Sequence, residues 1–270
     1  MKITASIAIG TVLAAASCFA QDKLVFKGSD TLGAKMVPQL TEAYTAAGNT
    51  VGFEIAAEGS SAAFSSLLEG TADIGMSSRD VKDEEKDAFT AKGQELVEIV
   101  AGYDMIAVVV NKDNGVRDLT VKQIEGIFTG DITDWSEVGG AAGPISVYTR
   151  NTTSGTYKSF QEMAMDKRDY GSATNKMAGN EQIAEEVANN PNGIGYVGLA
   201  YADKDGLRSV KVEGEAAKPK NKDAYPLSRT LYFYTVGQPE GEAKKFLDWA
   251  TTSKEAHDVV DTVGFIPNEK

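Results

Sequence analysis

The chain has 270 residues, with 39 acidic against 27 basic side chains and a formal net charge of −12. That balance argues against nucleic acid, whose binding needs clustered Lys and Arg to release counterions. It leaves small anions open, because backbone dipoles and single buried arginines set the field inside a cleft.

The first segment, MKITASIAIGTVLAAASCFAQDK, places Lys2 before an apolar run from Ile3 to Ala16 and ends it with Cys18, Phe19 and Ala20. This is the pattern of a secretory signal peptide, too short for a membrane span. Residues 1–20 are therefore expected to be removed, giving an exported protein. The rival is lipid attachment at Cys18, for which AASC is a poor lipobox. Cys18 is the only cysteine. The mature chain then has no disulfide, no thiol nucleophile and no thiolate metal site, and ordinary cores must stabilise its roughly 250 residues.

Strand-like and helix-like runs alternate from there. KLVFKG (23–28) reads as a strand, and Leu32, Met36, Val37, Leu40 and Tyr44 recur at helical spacing. Pro38 predicts a kink or a late start to that helix. TVGFEIAAE (50–58) and ADIGMSS (72–78) read as strands around a helix carrying Ala63, Phe64, Leu67 and Leu68, and 82–92 as a charged surface helix. MIAVVV (105–110) is a continuous apolar strand, as expected where both faces are covered. LTVKQIEGIF (119–128) is a short helix stopped by Gly130, and PISVYTR (144–150) is a strand leading into a helix over 155–165. A helix over 180–189, strands at 193–202 and 231–236, a polar loop at 213–223 and one long helix over 241–261 complete the pattern. This alternation predicts an α/β fold with a parallel or mixed sheet. Segments near 102–108 and 225–232 are placed to cross between two lobes, with a ligand between them.

Three stretches repeat one device: a strand ends, a Gly/Ser/Thr turn follows, and a helix begins. They are GSDTL (28–32), EGSSAAF (58–64) and TSGTYKSF (153–160). Taken singly, each hydroxyl is a helix cap for N–H groups that have no intrahelical partner. Together, at the carboxyl ends of strands, such turns offer free N–H groups and the positive ends of helix dipoles to an anion. Arg150 adds a full charge and a forked donor set beside Ser154, Gly155 and Thr156. Arg79, next to Ser78, either reaches the same ligand or pairs with Asp80 or Asp83. Asp30 reads as an N-cap. A carboxylate facing the site, from Asp30 or Asp80, would favour an anion that carries a proton.

An enzyme such as a phosphatase or serine hydrolase would need a nucleophile and a base. The only histidine is His257, in the final helix, and no G-x-S-x-G elbow or His/Asp metal cluster is present. No catalysis and no cofactor are expected. A purely structural or adhesive role would predict no ligand-dependent stabilisation. Trp135 and Trp249 read as packing residues, and Arg229 as a hinge or lobe contact ranked below the anion turns.

In these residues the sequence resembles the periplasmic phosphate-binding proteins of ABC importers. GSDTL, EGSS, ADIGMSSR, IFTGDITDW (127–135), RNTTSGT, NGIGYVGLAYA and YPLSRTLYFYT occur in the order of that family's landmarks. The resemblance implies a two-lobed type II binding protein with a ligand cleft and a two-segment hinge. Lobe one would comprise 21–104 plus 229–270, and lobe two 105–228. It implies that Thr31, the Leu32 amide and Ser60 bind oxygens from one lobe, with Ser78 and Arg79 beside them. Arg150, Ser154, the Gly155 amide and Thr156 would bind from the other. It implies inorganic phosphate as ligand, an ABC permease as partner and a monomer. One departure is Ser78 followed by Arg79, where well-known members carry an aspartate thought to accept the proton of hydrogen phosphate. Either Asp30 or Asp80 takes that role, or selectivity is looser, and sulfate, molybdate or tungstate stand as alternative ligands.

Overall fold

The computed structural model describes residues 23–268. The expected signal peptide and the Cys18 alternative lie outside the described residues. In chain order the first elements are β1 (Lys23–Gly28), a π-helical turn (Leu32–Met36) running into α1 (Val37–Ala46), β2 (Gly52–Ala56), α2 (Ser60–Leu68), β3 (Ile74–Ser77) and α3 (Asp83–Ala91). Then come β4 (Leu96–Asn111), β5 (Asp118–Leu119), α4 (Val121–Thr129), β6 (Ser146–Arg150), α5 (Gly155–Ala164), β7 (Asn175–Met177), α6 (Asn180–Asn189) and β8 (Gly193–Gly198). Finally β9 (Leu207–Ser209), β10 (Lys211–Val212), β11 (Ser228–Val236), α7 (Gly241–Thr252) and α8 (Lys254–Thr262) complete the described fold.

The main sheet runs in the order β2-β1-β3-β11-β4-β8-β6-β7, with β9 added beside β4. Pairs β1–β2, β1–β3, β6–β7 and β6–β8 are parallel, whereas β11 and β4 pair antiparallel with their neighbours. The expected mixed α/β class is what forms. Strand β4 is the joint of the sheet. Its residues Leu96 to Met105 pair with β11, and Ile106 to Val110 pair with β8.

The sequence marked only 105–110 of this strand because that stretch is wholly buried and apolar. The first part, Leu96–Val100, is mostly half-buried and reads as mixed. The aromatic core on the β1 side gathers Phe26, Tyr44, Phe53, Phe246 and Trp249 at centroid separations of 5.1–6.2 Å. On the β6 side Phe160 and Tyr196 stack 4.0 Å apart, and Phe128 packs edge-on against Phe160. Trp249 and Trp135 both serve packing, with Trp135 98 % covered.

Two expectations are corrected. Pro38 does not delay its helix. The chain is already helical at Asp30, and the turn before Pro38 widens to π geometry, with Val37 N–H bonding the Leu32 carbonyl. Proline has no N–H for the carbonyl four residues back, and one wide turn accommodates that loss. The final helix is two. Ser253 closes α7 in extended backbone, and its side chain accepts from Ala256 N–H to cap α8.

Candidate functional site

The three turns meet. The turn after β1 carries Asp30 and Thr31, and α2 begins at Ser60 after Gly59, whose φ of 109° suits glycine. The third turn follows β6: Arg150 ends the strand, Ser154 is the N-cap of α5 and accepts from Tyr157 N–H, and Gly155 opens the helix. Thr31 Oγ1 lies 3.0 Å from Thr156 Oγ1. Ser60 Oγ accepts from Ser78 N–H at 3.0 Å and lies 3.3 Å from Ser78 Oγ. Backbone and side-chain bonds join the same two sides: Ser61 N–H to the Thr153 carbonyl, the Thr153 hydroxyl to the Glu58 carbonyl, and the Ser159 hydroxyl to the Ser78 carbonyl.

Glycine at 155 is a requirement of this approach. A Cβ there would stand 2.2 Å from Ser60 Oγ and 2.6 Å from Ser78 Oγ. The Gly155 backbone is therefore presented directly to those two hydroxyls.

Arg150 is 99 % buried. Its Nε and Nη2 donate to the Ala178 carbonyl at 3.1 and 2.7 Å, which fixes the plane of the guanidinium. Nη1 lies 3.2 Å from Asp30 Oδ2, outside hydrogen-bonding geometry, and has no hydrogen-bond partner among the described residues. Burial pushes the Arg150 pKa down, Asp30 opposes that shift, and the charge of Arg229 adds to it. A buried cation with one donor uncommitted is the group an oxyanion would satisfy.

Asp30 does not cap its own helix. Its Oδ2 accepts from Asn180 N–H at 3.0 Å and from Asn180 Nδ2 at 2.7 Å, so it caps α6 across the sheet. Tyr201 Oη donates to the Asp30 and Thr31 carbonyls. Burial raises the Tyr201 pKa, and the nearby carboxylates Asp30 and Asp104 raise it further, so the phenol remains a donor.

Arg79 is not brought into this cluster. Its two terminal nitrogens grip Glu85 of α3 at 2.8 and 2.6 Å, and the guanidinium stacks over Phe64. Glu85, rather than the expected Asp80 or Asp83, takes the charge. Asp80 accepts from Tyr232 Oη at an exposed position. The Leu32 side chain is core; its place in the first turn of the helix follows Thr31.

Two charged residues that the sequence reading passed over or ranked low stand inside the cluster. Arg229 Nη1 donates to Thr156 Oγ1 at 3.0 Å and to the Ser78 carbonyl at 3.2 Å, and Nη2 lies 3.4 Å from Thr31 Oγ1. Asp104, fully buried, binds Arg229 at 2.6 Å and accepts from Leu199 N–H. The signal available in the sequence was an arginine in SRTLYFYT, on a segment already placed at the crossing. The site therefore sets two guanidiniums, Arg150 and Arg229, against two carboxylates, Asp30 and Asp104. Its remaining donors are neutral.

Helix-start turns from both sides of a mixed sheet meet around the buried Arg150 and Arg229. The PBP superfamily domain model matches residues 14–255. The chain is 34 % identical over 264 residues to the phosphate-binding protein PstS of Pseudomonas aeruginosa, covering 89 % of this chain and 81 % of that protein. It is 32 % identical over 216 residues to the PstS of Bacillus subtilis, covering 79 % and 70 %. A Clostridium perfringens chain assigned as a phosphate ABC transporter substrate-binding protein, solved with bound phosphate, superposes with a TM-score of 0.84 at 35 % identity, over 92 % of this chain and 100 % of that one. An ABC-type phosphate transport receptor from Vibrio cholerae superposes with a TM-score of 0.73 at 27 % identity, over 90 % and 99 %. The chain belongs to the PBP superfamily and, within it, to the family of the PstS phosphate-binding proteins.

Proposed function

We propose that this protein captures inorganic phosphate and hands it to an ABC permease. The observation that carries the reading is Arg150 Nη1, buried beside Asp30 and without a hydrogen-bond partner among the described residues, at the end of the strand that leads into the Ser154 turn. The ligand set is Thr31, the Leu32 amide, Ser60, Ser78, Arg150, Ser154, the Gly155 amide and Thr156. Arg79 drops out of that set because Glu85 holds it. Names of the relatives point to the same ligand.

On this reading lobe one takes in the described residues 23–104 with 229–268, and lobe two 105–228. The exchange of β4 from β11 to β8 between Met105 and Ile106, and the start of β11 at Ser228, support those boundaries. Phosphate would bridge the lobes and shift the population toward the closed form, whose surface the permease reads. The reading needs no catalytic step. The His257 ring meets the Thr251 carbonyl between α7 and α8, not a site hydroxyl. The reading is of a monomeric periplasmic receptor delivered by its signal peptide, and among the described residues no helix is long and apolar enough to cross a membrane.

Calorimetric titration of the phosphate-stripped mature protein tests the reading, with phosphate and then sulfate at pH 6 and pH 8. Saturable phosphate binding with silence toward sulfate is expected. Equal binding of both would make it a general oxyanion receptor, and binding of neither would overturn the assignment.

A further inference from the structure

Arg229 and Asp104 sit on β11 and β4 as a directly opposed pair at the point where β4 changes neighbours. Both are buried, and Asp104 Oδ2 holds Arg229 through Nε at 3.1 Å and Nη2 at 2.6 Å. That grip fixes the guanidinium plane. Its remaining reach is Nη1 to the Thr156 hydroxyl and the Ser78 carbonyl, and Nη2 to the Thr31 hydroxyl.

The consequence lies in proton direction. A hydroxyl has one proton and two lone pairs, and a guanidinium only donates. The Asn180 amide is oriented by its neighbours, because its oxygen accepts from Gly198 N–H while its nitrogen donates to Asp30. Thr31 Oγ1 therefore receives from Asn180 Nδ2 and from Arg229 Nη2, each at 3.4 Å. With both lone pairs engaged, Thr31 donates its proton to Thr156 Oγ1, 3.0 Å away, which leaves its backbone N–H as its contribution to the ligand set. Thr156 then receives from Thr31 and from Arg229 Nη1. Its own proton has to be given to an acceptor outside this set.

We propose that Arg229, held by Asp104, is a positioning residue that commits the Thr156 hydroxyl proton to the bound oxyanion. Asp104 cancels the charge of Arg229, so the pair sets donor direction without adding net charge to the cage. This rests on the phosphate-binding reading.

The test is a set of phosphate titrations by calorimetry on the mature protein, with thermal melts to confirm folding. R229K keeps a cation for Asp104 but lacks the fork that spans two hydroxyls. D104N/R229Q removes both buried charges together, which avoids stranding one of them. Each is measured alone and combined with T156S, which keeps the hydroxyl, and with T156V, which deletes it. We expect R229K to weaken phosphate about tenfold in the wild-type and T156S backgrounds and to have little further effect with T156V. The double variant should follow the same pattern. An equal loss in all three backgrounds would assign Arg229 a purely structural role and overturn the inference, as would unchanged affinity of R229K. Failure of the wild type to bind phosphate would instead overturn the functional reading itself.

Discussion

Asp30 Oδ2 stands 3.2 Å from Arg150 Nη1 while accepting two bonds from Asn180, so one carboxylate on the β1 side ties together the charge and the helix start on the β6 side. The contact balances the buried arginine without occupying its whole donor fork.

Replacing Arg150 removes a buried guanidinium whose Nη1 has no hydrogen-bond partner among the described residues. Arg150→Ala is expected to cost roughly 2–5 kcal/mol of phosphate binding, because a desolvated charge-assisted contact disappears. Calorimetric titration reads this directly. Unchanged affinity would show that the anion does not reach Arg150.

Gly155→Ala places a methyl group 2.2 Å from Ser60 Oγ and 2.6 Å from Ser78 Oγ. Those hydroxyls come from the opposite side of the site, so the clash opposes their approach more than the folding of either side. The expected penalty on phosphate binding is about 1–3 kcal/mol, the range for overpacking a closely fitted position. Circular dichroism should be unchanged. A variant with wild-type affinity would mean that Gly155 does not close against these serines.

Arg79 serves as the contrasting case. Its side chain is 96 % covered and bonded to Glu85. Arg79→Met should lower stability by about 1–2 kcal/mol, discounted for the partial exposure of Glu85. Phosphate affinity should stay within about twofold. Urea denaturation and a phosphate titration of the same variant separate the two effects, and a large affinity loss would return Arg79 to the ligand set.

Acid stability should report on Glu125. Hydrogen bonds from Arg168 and then Lys122 hold its carboxyl below the ordinary value of 4.5. Because the folded form titrates lower than the unfolded one, the stabilisation is fully present above that ordinary value. It is lost as pH falls through the lower folded-state value. Glu125→Gln should therefore flatten the decline of the urea midpoint as the pH falls below the ordinary glutamate value. Identical slopes for variant and wild type would show that the Arg168 contact has no thermodynamic weight.

Local chemistry made much of this protein legible in advance. The unbroken apolar run MIAVVV could only be a strand covered on both faces. Gly130 announced the end of α4, as a left-handed stop. The strand–turn–helix repeats around Thr31, Ser60 and Ser154 marked the turns that the fold brings together, because the hydroxyls and the freed N–H groups lie within a few residues of one another.

What stayed hidden depends on partners distant in the chain. The 16-residue length of β4 is set by pairing first with β11 and then with β8. Arg79 and Arg229 each follow a serine, and no local rule tells them apart. Glu85, six residues on, takes the first out of the site, and Asp104, 125 residues away, fixes the second within it. Asp30 looked like a cap for the helix it begins, yet it caps one 150 residues later. Sequence by itself determined which turns could hold an anion, since hydrogen-bonding capacity and helix polarity are local properties. Only the tertiary structure decided which charges stand among those turns, since a buried charge settles with whichever opposite partner the fold brings to it.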